Sequence, residues 1–386
     1  PLFVPTPTPT RSPGSFATDA EDYFSQAKLD QAITAYKEAL RSDPNNAAYY
    51  IALAKTQMFA GDYEGAKTNA ENALLINPNN STGNAVRGWA LGYLEDYLPA
   101  EAALKQAIQI DPNNAIAHAF YAEMLAKKYE NGQDTIGDIE RAADESNKAM
   151  ALDPNIMEVR RARGIVLEVT GNSSEAISQY EAAIAINPNL ADLHLALGRN
   201  YRVQEQYDLA VDELIKANSL NPKDPNPNYL ISRTLATVGQ YANAIQYAQD
   251  AANVDPSNPF WWGNLGFLYR KDNQLDKAVE ALRLAVRGGK TADGVEVKGM
   301  PLDYGRVTEY YYNYGLALSS LNQCTEAIQI AQLLVQGVPN DDVAQYNAQV
   351  MMDTCKANIE NPPTPEVTTD TSAPTETPTV SDTASP

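Results

Sequence analysis

Prolines preceded by Asn or Asp recur along this chain at a nearly fixed distance. Pro44, Pro78, Pro112, Pro154, Pro188, Pro222 and Pro256 are spaced by 34 residues, with one interval of 42. An internal period of that length restricts the fold to stacked copies of one supersecondary unit, each burying its apolar face against its neighbours. Each unit holds two apolar-periodic stretches, and the proline falls just past the second, where it stops a helix without breaking it. In the second unit AAYYIALAKTQMFAG reads as a first helix and DYEGAKTNAENALLI as a second. Gly61 closes the one and Asp62 caps the other.

A second register supports the first. Ala32, Ala66, Ala100, Ala142, Ala176, Ala210, Ala244, Ala278 and Ala327 recur near the start of each second helix, which predicts nine helical hairpins. Two antiparallel helices joined by a short loop approach closely only where side chains are small. Gly88, Gly164, Gly198, Gly266 and Gly315 hold the matching place in the first helices, and Ala20, Ala54, Ala122 and Ser232 fill it elsewhere. A mid-helix glycine costs about 1 kcal/mol against alanine, so its recurrence implies close packing.

Trp262, Leu265, Gly266 and Tyr269, followed by Ala278 and Leu282, resemble the tetratricopeptide repeat, whose pattern W-x2-L-G-x2-Y recurs with this period. Other units depart from it: Arg87 and Arg163 stand where Leu265 does, and Asn84 or His118 where Trp262 does. The resemblance implies an all-α, right-handed α-solenoid of about nine TPR hairpins, over residues 16–359, closed by a capping helix near 341–358. It also implies a superhelix whose first helices line a concave, peptide-binding groove.

Two units are irregular. The fourth carries eight extra residues around KKYENGQDTIGDIE, predicting an extended interhelical loop near 128–139. The eighth is followed by a Gly-rich insertion near 288–306, in which Val295-Glu-Val-Lys298 forms either a small hairpin or a disordered loop. Residues 1–15 and 360–386 are Thr/Pro-rich with almost nothing apolar to bury, so both are expected to be disordered tails, either plain spacers or O-glycosylated stalks.

Lys and Arg number 29 against 49 Asp and Glu, a formal charge of −20, which argues against a nucleic-acid partner. No stretch approaches the roughly 20 apolar residues that span a bilayer, so membrane contact is expected only through an N-terminal anchor absent from this sequence. The start, without Met, suggests a processed product or an excerpt. With the acidic body and the Thr/Pro tails it resembles bacterial surface-tethered TPR proteins, and an extracytoplasmic or cell-surface location is expected, with the cytoplasm as the alternative.

Catalytic chemistry has no sequence support. No phosphate-binding glycine loop, nucleophile elbow or HExxH pattern occurs, and neither cofactor nor metal is implied. His118 and His194, the two histidines, fall on the position of Trp262, which packs between helices, so a structural role outweighs that of ligand or base. Function is expected on the concave surface. Steps of 34 from Ile165 give Arg199, Arg233 and Phe267, and from Glu168 they give Arg202 and Arg270. Arg161, Lys271, Tyr229, Phe260 and Tyr312 complete the candidate face. It reads either as a protein- or peptide-binding site for an acidic or carboxylate-terminated partner, or as a solvated face paired with acidic neighbours. A scaffold is the leading reading. A structural surface component that self-assembles end to end and an accessory subunit of an enzyme complex are the alternatives.

Cys324 and Cys355 are the only cysteines. Cys324 begins the second helix of the ninth hairpin and Cys355 lies in the last turn of the antiparallel capping helix, a placement that predicts a disulfide. Two buried thiols are the other reading.

Overall fold

The structure, a computed structural model, describes residues 11–360. Among them are nineteen helices and one small β-hairpin. The helices pair in chain order: α1 (Pro13–Ser25) with α2 (Leu29–Ser42), α3 (Ala47–Phe59) with α4 (Tyr63–Ile76), and α5 (Ser81–Tyr93) with α6 (Tyr97–Ile110). Next come α7 (Ala115–Glu130) with α8 (Asp138–Leu152), α9 (Met157–Val169) with α10 (Ser173–Ile186), and α11 (Ala191–Val203) with α12 (Tyr207–Leu220). The last three pairs are α13 (Asn226–Thr237) with α14 (Tyr241–Val254), α15 (Pro259–Lys271) with α16 (Leu275–Arg287), and α17 (Arg306–Ser320) with α18 (Cys324–Gly337), before a single helix, α19 (Asp342–Glu360). This is the all-α solenoid of nine hairpins and a final helix that the two registers predict.

The packing follows from the small residues. All nine register alanines are fully buried. At Gly88 an added Cβ would stand 2.5 Å from Leu104 Cγ, and at Gly266 it would stand 2.5 Å from Leu282 Cγ, so even alanine would force the paired helices apart. The turn inside most hairpins needs one residue in the left-handed region. Gly61, Gly171 and Gly239 supply it freely, whereas Ala27, Glu95, Glu205, Asn273 and Asn322 adopt positive φ at a cost of about 1–2 kcal/mol each. Packing of the paired helices must repay that cost.

The recurrent proline does more than end a helix. Its carbonyl faces the first turns of the next first helix, and a side chain six residues on donates to it. Asn84 Nδ2 donates to Pro78 O (3.4 Å), Arg160 Nε to Pro154 O (2.7 Å) and Trp262 Nε1 to Pro256 O (2.9 Å). His118 Nε2 and His194 Nε2 lie 3.0 and 2.8 Å from Pro112 O and Pro188 O. At five of the seven positions six residues past a repeat proline, side chains that differ in size and charge thus share one property, a nitrogen at the proline carbonyl.

Three details differ from the sequence reading. Helix α1 begins at Pro13, inside the stretch read from composition as tail, because Pro13 suits the first helical position and the Ser12 hydroxyl accepts from Ser15 N (3.3 Å). The rest of both tails lies outside the described residues. In the fourth hairpin the extra residues do not all enter the loop: α7 is 16 residues long where α3 and α5 have 13, so part of the insertion extends the first helix. The 288–306 insertion forms the hairpin alternative, with β1 (Gly288–Lys290) antiparallel to β2 (Glu296–Lys298), and Val297 is buried against the core.

Candidate functional site

First helices pack on first helices along the inside of the curve, tightly through α5, α7 and α9 and loosely through α11, α13 and α15. That difference divides the concave face into two regions of different chemistry.

In the first half the superhelix closes on itself. Asn189 Nδ2 donates to Ser25 O (2.7 Å), Lys55 pairs with Glu158, and Phe24 and Phe59 pack against the cluster containing Met157, Leu190 and Leu193. The space left there is a pocket of about 610 Å³, and Arg161 is among the residues that line it. Its guanidinium donates to Glu123 Oε2 and Asp192 Oδ2, both at 2.6 Å, and to Tyr93 Oη at 3.1 Å. Burial opposes that charge, but Glu123, Tyr93 and Asp192 outweigh it and hold its pKa well above the ordinary arginine value. Arg199 is bidentate on Glu168 (2.8 and 3.1 Å), whose Oε2 also accepts from Tyr180 Oη (2.8 Å). Both arginines therefore have intramolecular carboxylate partners.

In the second half the arginines are only partly matched by acid. Arg202 on α11, Arg233 on α13 and Arg306 on α17 converge with one carboxylate among them, Glu309, which is 2.6 Å from Arg306 Nη1 and 3.7 Å from Arg233 Nη1. Arg202 Nε and Arg233 Nη1 are buried without a hydrogen-bond partner among the described residues. Burial, with Arg233 and Arg306 close by, holds the Arg202 pKa below its ordinary value. Arg233 lies over the Phe267 ring at 4.7 Å, and Lys271 Nζ is 5.7 Å from the same centroid. Tyr229 and Phe260 meet at 5.3 Å between ring centroids. Farther along, Arg270 Nε donates to Asn313 Oδ1 (2.6 Å) beside Tyr312, and burial holds its pKa below the ordinary value.

Of the ten groove residues read from the sequence, the structure gathers Arg202, Tyr229, Arg233, Phe260, Phe267 and Lys271, sets Arg270 and Tyr312 alongside, and puts Arg161 and Arg199 in the closed half. Stepping by 34 missed Arg306, Glu309 and Tyr310, because the insertion before α17 breaks the register. It missed Trp261 because the repeat pattern draws the eye to Trp262, whose indole is spent on Pro256.

Disulfide geometry is met at the C-terminal end. Cys324 and Cys355 are bonded, with 5.4 Å between their Cα atoms. Among the described residues no helix is long and apolar enough to cross a membrane, and no group of three or more His, Cys, Asp or Glu is arranged to hold a metal.

Fold and repeat together define a class. A TPR repeat model matches residues 20–58, and tetratricopeptide repeat models match residues 47–80, 84–114, 161–225 and 229–293. The chain is built of tetratricopeptide repeats. It is similar in structure to PilW, described as a widely conserved type IV pilus biogenesis factor (19% identity, TM-score 0.48, covering 53% of this chain and 91% of that one). It is also similar to PilF of Pseudomonas aeruginosa (19% identity, TM-score 0.41, covering 55% and 93%). No curated protein matches the chain.

Proposed function

We propose that this chain is a non-catalytic protein-interaction scaffold that holds an acidic peptide segment in the open groove of α11, α13, α15 and α17. One observation carries the reading: of Arg202, Arg233 and Arg306 only the last two pair with a carboxylate, the same Glu309, and two buried guanidinium nitrogens, Arg202 Nε and Arg233 Nη1, have no hydrogen-bond partner among the described residues. In a chain of charge −20 an uncompensated cationic cluster is costly unless a ligand completes it. Carboxylates match the planar donor fork of arginine, and the flanking rings add apolar contact.

The test is fluorescence anisotropy with labelled Glu/Gly, Ser/Gly and Lys/Gly peptides at low and physiological salt. The Glu/Gly peptide is expected to bind and the other two to fail. Arg202→Glu with Arg233→Glu should abolish binding at unchanged helicity, since each charge-assisted bond is worth about 1.5–3 kcal/mol, tenfold or more in affinity. Arg199→Glu is the contrasting variant: it sets two carboxylates against each other at Glu168 and should lower stability. Equal binding of all three peptides would reject the reading.

End-to-end self-assembly has less support. Val343 and Tyr346 of α19 are exposed, but α1 and α2 expose no large apolar side chain to receive them. The Cys324–Cys355 disulfide supports an oxidising, extracytoplasmic compartment as part of the same proposal.

A further inference from the structure

Around the three guanidiniums stands a set of rings. Tyr229 lies 5.5 Å from Trp261 and Phe260 lies 5.6 Å from Tyr310, between centroids, and Phe260 and Trp261 meet edge to face at 5.4 Å. Trp261 Nε1 and Tyr310 Oη are buried with no hydrogen-bond partner among the described residues. Tyr229 and Phe260 are the partly exposed rings of this set, backed by the buried Trp261 and Tyr310, and they suit a polyproline-type segment, whose proline rings pack on aromatic faces.

We propose that the chain's own residues 361–386 occupy this groove, proline against the rings and carboxylate against Arg202, Arg233 and Arg306, so that an outside peptide must displace them. The inference rests on the groove reading above. The segment carries Glu366, Asp370, Glu376 and Asp382, and Pro362, Pro363, Pro365, Pro374 and Pro378, with no lysine, arginine or aromatic residue. Pro365-Glu366 and Pro374-Thr375-Glu376 set a carboxylate one or two residues from a proline, so both chemistries lie in one short stretch.

Reach and concentration favour this occupant. Helix α19 ends beside the last turn of α17, where Asn358 Nδ2 donates to Ser319 O (3.1 Å), and Arg306 and Tyr310 lie in the first turns of α17. The path back along α17 is roughly 20 Å at about 1.5 Å per residue. An extended chain gains about 3.1 Å per residue, so Pro374 to Glu376 can pass the groove with length to spare. A tethered segment acts at an effective concentration on the order of millimolar, above that of most free peptides.

The test measures binding of a labelled peptide of residues 361–386 to three forms of the full chain: unchanged; with Glu366→Gln, Asp370→Asn, Glu376→Gln and Asp382→Asn; and with Arg202→Glu and Arg233→Glu. Removing the competing charges should tighten binding about tenfold over the unchanged chain, the factor expected for an occupant of ~0.1 mM affinity at ~1 mM effective concentration. The groove-reversed form should not bind. Equal affinity for the first two forms, with loss in the third, would overturn self-occupancy and leave the groove reading standing. A proline-free peptide of Glu, Ser and Gly with the same charge, binding as tightly as the first, would overturn the role of the rings. Failure of both peptides on every form would remove this inference and the groove reading together.

Discussion

His118 shows how one residue can be fixed by two neighbours. Its Nε2 lies on the Pro112 carbonyl and its Nδ1 is 2.5 Å from Glu145 Oε2, so both ring nitrogens face acceptors and the charged form is favoured. The hydrogen bond to Glu145 raises the His118 pKa against the opposing effect of burial. Burial pushes the Glu145 carboxyl up, but hydrogen bonds from His118 and Lys148 outweigh it and hold that pKa below the ordinary value. A raised histidine pKa stabilises the fold fully below the unfolded value near 6.5, and the benefit is lost as pH rises through the folded value. A depressed carboxylate contributes above its unfolded value near 4.3 and is lost as pH falls through the folded one. Denaturant midpoints should therefore be highest between about pH 4 and 6.5 and fall on the alkaline side. His118→Asn should flatten that alkaline limb while keeping a donor toward Pro112, as Asn84 does toward Pro78. An unchanged limb would mean that the pair does not titrate as argued. The sequence showed that this position packs between helices, but not that its Asn84, His118, Arg160, His194 and Trp262 occupants meet a proline carbonyl, since they share no size or charge.

At the scale of the element, what was legible was whatever repeats. Proline, alanine and glycine registers report contacts within a hairpin and to the next one, and these fixed nine hairpins and the turn at Gly61 and Asp62. Where the period breaks, reading by register fails: the fourth hairpin divides its insertion between α7 and the loop, and α17 brings Arg306 and Tyr310 to the groove without announcing them. The end of the array depends on a covalent bond. Helix α19 packs on α17 and α18 alone, and Val343, Tyr346 and Ile359 remain exposed, so it has less buried apolar surface to hold it than an interior helix. The Cys324–Cys355 bond ties its last turns to the start of α18, closing a loop of 31 residues. On the chain-entropy account that constraint is worth about 3.7 kcal/mol. Reduction, or Cys324→Ser with Cys355→Ser, should raise hydrogen exchange in α19 and lower the denaturant midpoint, with little change in α1 to α8. Uniform loosening along the whole array would show instead that the solenoid unfolds as one unit.

Across the whole molecule the deciding feature is closure of the first half, which no local register encodes, because curvature accumulates from small rotations between successive hairpins. Lys55 of α3 reaches Glu158 of α9, a carboxylate that burial pushes up but Lys55 outweighs, leaving its pKa below the ordinary value. Glu158 is 7% exposed, so removing only its partner strands a buried charge. Lys55→Ala should cost about 3–5 kcal/mol of the contact that closes the first half, whereas Lys55→Met with Glu158→Leu should be neutral or stabilising and keep the ring shut. Small-angle scattering distinguishes the two, with a larger radius of gyration for the single variant and an unchanged one for the double. Because the clustered guanidiniums belong to α11, α13 and α17, opening the first half should leave affinity for an acidic peptide within about twofold, well under the tenfold that 1.4 kcal/mol represents. The closed half, with Arg161 and Arg199 neutralised inside it, then acts as a rigid brace from which the open groove extends. Loss of peptide binding in Lys55→Ala, at full helicity, would show that the two halves are coupled and that the brace sets the spacing of the groove's arginines.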